Sequence, residues 1–244
     1  MVMIIKSNVT GSAILQPDGW DPSFNTEGLI YANVFGRGNM AANYAPGGGV
    51  ANVGGSPMIE GEFAVLSPVN YIDTGLKTGS SQTLIAIAKD NPTTENSENR
   101  RFLISSQGPS GFAGKSLLLN INSSVLYMYS DYFYMVDGIE KNNYFSQALA
   151  RENTSDVSFV FGRDYGNAID VGDISVVQKK VIDGYPNTTK DYTYHVGTNG
   201  IDASNEGVIY IAAALIFNRA ISDEEIKQVY SYFKDYYSRR GITI

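Results

Sequence analysis

The chain has 244 residues, 43% of them hydrophobic, enough to bury a large core in a single β-sandwich domain. Charged residues make up only 18% and the net charge is −7, which disfavours nucleic-acid phosphates and anionic membranes as partners. With no cysteine and one histidine, His195, the chain can build neither a disulfide framework nor a thiolate or multi-histidine zinc site.

Short apolar runs separated by Gly, Asn, Asp and Pro turns follow one another nearly throughout. Residues 3–9 (MIIKSNV) read as a strand within an N-terminal extension, residues 1–27. Its unpaired backbone and apolar face suit a docking arm donated to a neighbouring subunit. The first residues show no basic segment ahead of a long apolar one, so no signal peptide is expected. From residue 28 to 244 one domain is expected. Its strands start with LIYANVF (29–35), and the five glycines of residues 41–57 suggest a long surface excursion. TLIAIAKDN (83–91), RFLISS (101–106) and SLLLNIN (116–122) follow. Further strands begin at Val125, Ser158, Ile174 and Tyr192. The last, VIYIAAALIF (208–217), carries no charge and is too short to span a bilayer.

A helix is expected from Asp223 to about Arg239. Ser222 with Glu225 forms a capping box, and Asp223, Glu224 and Glu225 place negative charge at the positive end of the helix dipole. Ile226, Val229, Tyr230, Phe233 and Tyr237 make one apolar stripe. Arg239 and Arg240 fall in the last turn, and Gly241 suits a left-handed stop. Many strands with one late helix predict an all-β, two-sheet antiparallel sandwich closed by an amphipathic helix.

The phrase ALIFNRAISDEEI (214–226) resembles the closing strand and helix of the concanavalin A-like lectin/glucanase superfamily, in the laminin-G-like jelly-roll form found in phage and bacterial proteins. NVGGSPMIEGEFAVLSPVNYIDTGL (52–76) resembles that family's opening hairpin, and residues 83–91 sit where its next core strand belongs. The resemblance covers about residues 28–241. It implies a jelly roll and a choice between sugar binding and sugar cleavage.

Cleavage on such a fold needs two carboxylates on one strand face, spaced by two or four residues. Asp170 and Asp173 are three apart, and Glu60 and Glu62 flank a turn, so no enzyme activity is expected. His195 reads as structural, since GGSPM (54–58) is no nucleophile elbow. GPSGFAGKS (108–116) misses the phosphate-loop spacing and leads into a strand, which excludes nucleotide binding. Relatives often carry calcium, and Asp73, Asp90 and Asn91 are oxygen donors. Their spacing lacks the density of a calcium loop, so no metal or cofactor is expected.

The aromatic run VLYMYSDYFYMVDG (125–138) has two readings. Tyr127 and Tyr129 line a core or subunit face, or the rings stack on sugar C–H faces while Asp and Asn bind hydroxyls. Tyr132, Tyr134, Tyr144 and the single tryptophan, Trp20, are the candidate glycan-binding residues. Trp20 reads equally as a packing plug. Two functions follow. One is a non-catalytic phage virion component, in a tail, receptor-binding or capsid-decoration role, made in bacterial cytoplasm and released by lysis. Its partners would be other virion subunits or copies of itself, with a bacterial surface glycan as ligand. The alternative is a free carbohydrate-binding lectin, with a glycoside hydrolase or lyase behind both.

Overall fold

The computed structural model describes residues 20–90, 100–107, 114–181, 192–200 and 206–244. In chain order the elements are β1 (Leu29–Val34), a 3-10 turn (Phe35–Arg37), β2 (Asn52–Gly54), β3 (Met58–Glu60), β4 (Phe63–Leu66), β5 (Tyr71–Lys77) and β6 (Gln82–Asp90). Next come β7 (Arg100–Ser105), β8 (Lys115–Asn120), β9 (Val125–Val136), β10 (Ile139–Ala150), β11 (Ser158–Asp164) and β12 (Ala168–Asp173). The chain closes with β13 (Val177–Val181), β14 (Thr193–Val196), β15 (Ile209–Phe217) and α1 (Asp223–Ser238).

These strands form two antiparallel sheets, as the sequence predicts. One runs β13-β12-β11-β6-β15-β4-β3, with β1 pairing the second half of β15. The other runs β10-β9-β8-β7-β14-β5-β2. Their inner faces meet in one core, where Leu84, Ala86, Ile209 and Ile211 oppose Ile104, Leu117, Leu126 and Met128. A second core lies on the outer face of the first sheet, under the helix. Ile85, Ile87, Leu215 and Phe217 there meet Ile226, Val229, Phe233 and Tyr237. Strands β6 and β15 are thus buried on both faces, which explains their long apolar runs. A bulge between Ile211 and Ala213 turns both Ala212 and Ala213 toward the helix side.

The helix begins where its cap predicts. The Ser222 hydroxyl accepts from the Glu225 N–H, and the Glu225 carboxylate accepts from the Ser222 N–H. Arg219 adds a two-pronged ion pair to Glu225, which holds that carboxyl down at about 2. Arg163 on β11 forks onto Asp170 at 2.8 Å, reaches Asp223 at 2.7 Å and donates to the Ile221 carbonyl at 2.9 Å, so the helix start is tied to the sheet. At the far end Gly241 takes a φ of +74°, and the Ile242 N–H donates back to the Tyr237 carbonyl. The helix stops at Ser238, so Arg239 and Arg240 lie beyond it. Arg240 stacks on the Tyr236 ring and pairs with Glu62.

Several expectations need correction. The segment 52–76 is not one hairpin: β3 pairs with β4, but β5 does not join them. β4 joins the first sheet beside β15, whereas β5 joins the second between β14 and β2, so the chain crosses between sheets at residues 67–70. The excursion 41–57 is partly core, with Ala42, Tyr44, Ala45 and Ala51 buried. Trp20 and Phe24, assigned by sequence to an extension, also pack in the second core. The proposed arm strand 3–9 lies outside the described residues. β10 and β12 were not expected as strands at all. Phe233 is fully buried and stacks on Tyr237 at 6.0 Å between ring centres. Phe233→Ala should cost about 3–5 kcal/mol in denaturant unfolding if the helix is part of the cooperative unit. A near-zero change would mean that it is not.

Candidate functional site

The aromatic run belongs to a long hairpin. β9 and β10 each have 12 residues and pair from Val136↔Ile139 to Val125↔Ala150. Asp137 and Gly138 at the turn have φ of +51° and +77°, the geometry of a two-residue turn whose twist matches the strands. Alternation then sorts the side chains. Leu126 and Met128 point into the core, and Ser130 bonds to Asp164 on the facing sheet, so even-numbered residues of β9 face inward. Tyr132 and Tyr134 share that inner face. Tyr132 is 6% exposed and stacks on Phe145, with centroids 4.4 Å apart.

The odd-numbered residues form the outer face. Tyr127 and Tyr129 sit 5.5 Å apart, and Tyr129 lies 5.5 Å from Tyr144 across the strand pair. Tyr144 is 46% exposed. Three rings thus form a ladder open to solvent at one end. The four residues expected to bind glycan therefore separate. Tyr144 is on the outer face, Tyr132 and Tyr134 are on the inner one, and Trp20 is remote. Trp20 is 3% exposed, wedged among Phe24, Tyr44 and Tyr232. It is a packing plug with no ring face left for a sugar. Tyr127 and Tyr129 face away from the core and supply the ladder.

Asp131, also on β9, is a buried carboxyl whose oxygens have no hydrogen-bond partner among the described residues. It is 6% exposed. Burial pushes its carboxyl up to about 7, against a smaller pull from Lys115. Lys115 is itself committed to Asp164 at 2.7 Å.

The remaining titratable candidates are occupied structurally. His195 stands in register between Asp73 and Ser105. Ser105 is fully buried, with its hydroxyl 2.6 Å from that of Ser116, so it offers no accessible nucleophile. The His195 ring packs edge-on against Tyr71, and burial lowers its pKa. Asp170 is held by Arg163 and by the Tyr165 hydroxyl. Asp173 takes the opposite face of β12, pairing across from Val160. Gly61, with a φ of +61°, breaks the strand between Glu60 and Glu62. For calcium, Asp90 is spent on buried Arg101 at 3.0 Å, and Asp73 caps the Gly75 N–H. Among the described residues, no group of three or more His, Asp or Glu is placed to hold a metal.

A second feature was not foreseen. Where β10 leaves one sheet for β11 in the other, a cleft of about 480 Å³ opens at the rim, lined by Arg151, Glu152, Asn153, Asp156, Asp173 and Ser175. The sequence shows there only a polar stretch, RENTSD (151–156). Asp173 enters from the end of β12, a contact that sequence distance conceals.

No family model matches the sequence, and no curated protein matches it. Solved structures do. The receptor-binding domain of botulinum neurotoxin C/D mosaic serotype aligns with a TM-score of 0.60 at 14% identity, covering 85% of this chain and 52% of that one. The serotype D ligand-binding domain in complex with N-acetylneuraminic acid gives 0.61 at 18% identity, over 86% and 52%. The likeness is one of fold. A structure for botulinum neurotoxin type C, whose cell entry is dependent upon interaction with two ganglioside molecules, gives 0.59 at 12% identity over 84% of this chain and 51% of that one. The chain spans about half the length of these neighbours.

The Asp131 carboxyl generates a pH prediction. The folded chain keeps this proton up to about 7, while an unfolded chain releases it at about 3.9. Between those values the folded state binds more protons, so stability falls as pH rises and levels off above the upper one. Asp131→Asn should therefore raise the melting temperature at pH 8 and have little effect below pH 4. Equal effects at both would show that Asp131 is already solvated or paired.

Proposed function

We propose that this protein is a non-catalytic, lectin-like module that holds a glycan against the outer face of the β9–β10 hairpin, as a component of a phage particle. The observation that carries the sugar reading is the open ladder Tyr127–Tyr129–Tyr144 on a rigid paired hairpin. Aromatic rings offer flat apolar surface to the C–H faces of a sugar, and Asn142 and Ser146 on the same face supply polar atoms. The fold likeness to receptor-binding domains, one of them in complex with N-acetylneuraminic acid, supports a binding rather than a chemical role. So does the commitment of Asp170 to a structural ion pair. The phage setting rests on the resemblance of residues 214–226, and a chain without cysteine suits folding in reducing bacterial cytoplasm. Its ligand would then be a bacterial surface glycan, and its release would follow lysis.

The assembly reading draws on a separate observation. The hairpin tip exposes Met135, Val136 and Ile139, and edge strand β13 exposes Val177 and Val181. Such apolar surface on two neighbouring edges suits contact with other virion subunits or with further copies of this chain.

Glycan-array screening followed by calorimetry tests the first reading. Tyr144→Ala should weaken the best glycan about tenfold and leave the melting temperature within a degree or two. Unchanged affinity would remove the ladder from the binding site. Incubation with capsular or storage polysaccharide should yield no shortened chains. Light scattering should report an oligomer; a strict monomer that still binds sugar would favour the free lectin.

A further inference from the structure

We propose that this chain assembles head to tail with further copies of itself, edge strand β13 of one copy adding in parallel to edge strand β3 of the next. The proposal rests on the assembly reading of the exposed β13 edge and is independent of the tyrosine ladder.

Strand directions allow the junction. In the first sheet every neighbouring pair is antiparallel, and the path from β13 to β3 counts seven strands, so its two end strands run the same way. A second copy brought up along the sheet, with the usual twist, therefore sets its β3 parallel beside β13. β10 and β2, at the ends of the other sheet, are related in the same way.

Facing and register agree with that direction. The Asp173 N–H donates to the Val176 carbonyl, so alternation bonds Gln178 and Lys180 to β12 and turns the backbone groups of Val177, Lys179 and Val181 outward. The side chains of these three lie on the helix side of the sheet, because Gln178 and Lys180 pair with the core residues Val171 and Ile169. On β3, Glu60 and Phe63 close a two-residue turn, so Met58 and Glu60 bond to β4 while Ile59 and Gly61 turn their backbone outward. The Met58 and Glu60 side chains also lie on the helix side, since Ile59 pairs with the core residue Ala64. In a parallel ladder, a residue with outward backbone groups sits opposite one whose two neighbours carry them. One register that meets this condition sets Val177 beside the next copy's Met58, and Lys179 beside its Glu60. Apolar then meets apolar and cation meets anion, all on one face.

The same chemistry selects a second copy as occupant. Met58 is 61% exposed and Val177 43%. Lys179 and Glu60 are exposed as well, and the Lys179 ammonium is held on this face over the Tyr165 ring at 4.2 Å. The full-length pairing of β13 with another β13 would oppose Lys179 to Lys179, which is unfavourable. The β3 edge offers the opposite charge. Contact between two different patches is heterologous, so the assembly grows as a row of copies and does not stop at a dimer.

The test uses the full chain and its lack of cysteine. Within one copy Met58 and Val177 stand at opposite ends of the strand path, about 30 Å apart, beyond the reach of a disulfide. The double variant Met58→Cys/Val177→Cys, oxidised with diamide, should run on a non-reducing gel as a ladder of dimer, trimer and longer species. Either single variant should give nothing beyond dimer. In sedimentation velocity, Lys179→Glu and Glu60→Lys should each weaken association about tenfold, and an equimolar mixture of the two should recover it, because each supplies the charge that the other lacks. Association that responds to Lys179→Glu but ignores Glu60→Lys would overturn the proposal in favour of a two-fold contact. Association indifferent to both, with no ladder from the cysteine pair, would overturn it while the assembly reading stands. A chain that stays monomeric at every concentration removes both. Should Lys179→Glu not fold, the cysteine pair and Glu60→Lys still decide the matter.

Discussion

The arrangement of this molecule depends on burying one pair of strands from both sides. β6 and β15 lie side by side in the middle of the first sheet. Their inner faces meet the second sheet, and their outer faces meet the helix and the segment around Trp20. Neither cover is dispensable for such strands. A sheet this apolar on its outer face would present a large hydrophobic patch to water without its helix. The capping box, the Arg219–Glu225 fork and the Arg163 contacts all act at one place, the turn that brings the helix back over the strand just completed. Sealing the slab in this way leaves the open aromatic and polar surface to its margins. The hairpin and the rim cleft both lie toward the end where β10 and β13 form the free edges.

Margins differ from the slab in how their polar groups are satisfied. Inside, charges are matched almost completely: Arg101 with Asp90, Lys115 with Asp164, Arg163 with Asp170. Each guanidinium or ammonium there meets a carboxylate at 2.7–3.0 Å, as burial demands. At the rim, Arg151 and Asp173 fall short of that distance. At the hairpin, the Asp131 carboxylate has neither hydrogen bond nor ion pair among the described residues.

Much of the scaffold was legible in the sequence because its signals are local. The helix could be read from Ser222, Glu225 and a stripe at helical spacing, and the central strand from ten residues without charge. Where the reading failed, the cause was non-local. Nothing within residues 52–76 tells that β4 and β5 part company into different sheets, since that depends on β15 and β14 far along the chain. β10 was missed because its Glu, Lys, Asn and Gln residues mask the alternation, though Asp137-Gly138 was a turn signal of the right kind. Tyr144 could be proposed from composition alone. That it faces away from Tyr132 required the register, and the meeting of Arg151 with Asp173 required the crossover between sheets.

The period-two geometry of the hairpin also bears on how such a protein can change over generations. Folding and recognition are written on alternate residues of the same two strands. Leu126, Met128, Tyr132 and Phe145 answer to the packing of the interior; Tyr127, Tyr129 and Tyr144 answer only to what lies outside. Substitutions at Tyr127, Tyr129 or Tyr144 should therefore leave the interior packing in place, whereas Asp131 and Phe133, on the same outer face, are buried and less free to change. Insertions and deletions of a single residue have no such freedom, because they would exchange the two sets at a stroke. Lineages derived from this chain should diversify by substitution in the hairpin arms and keep their length constant.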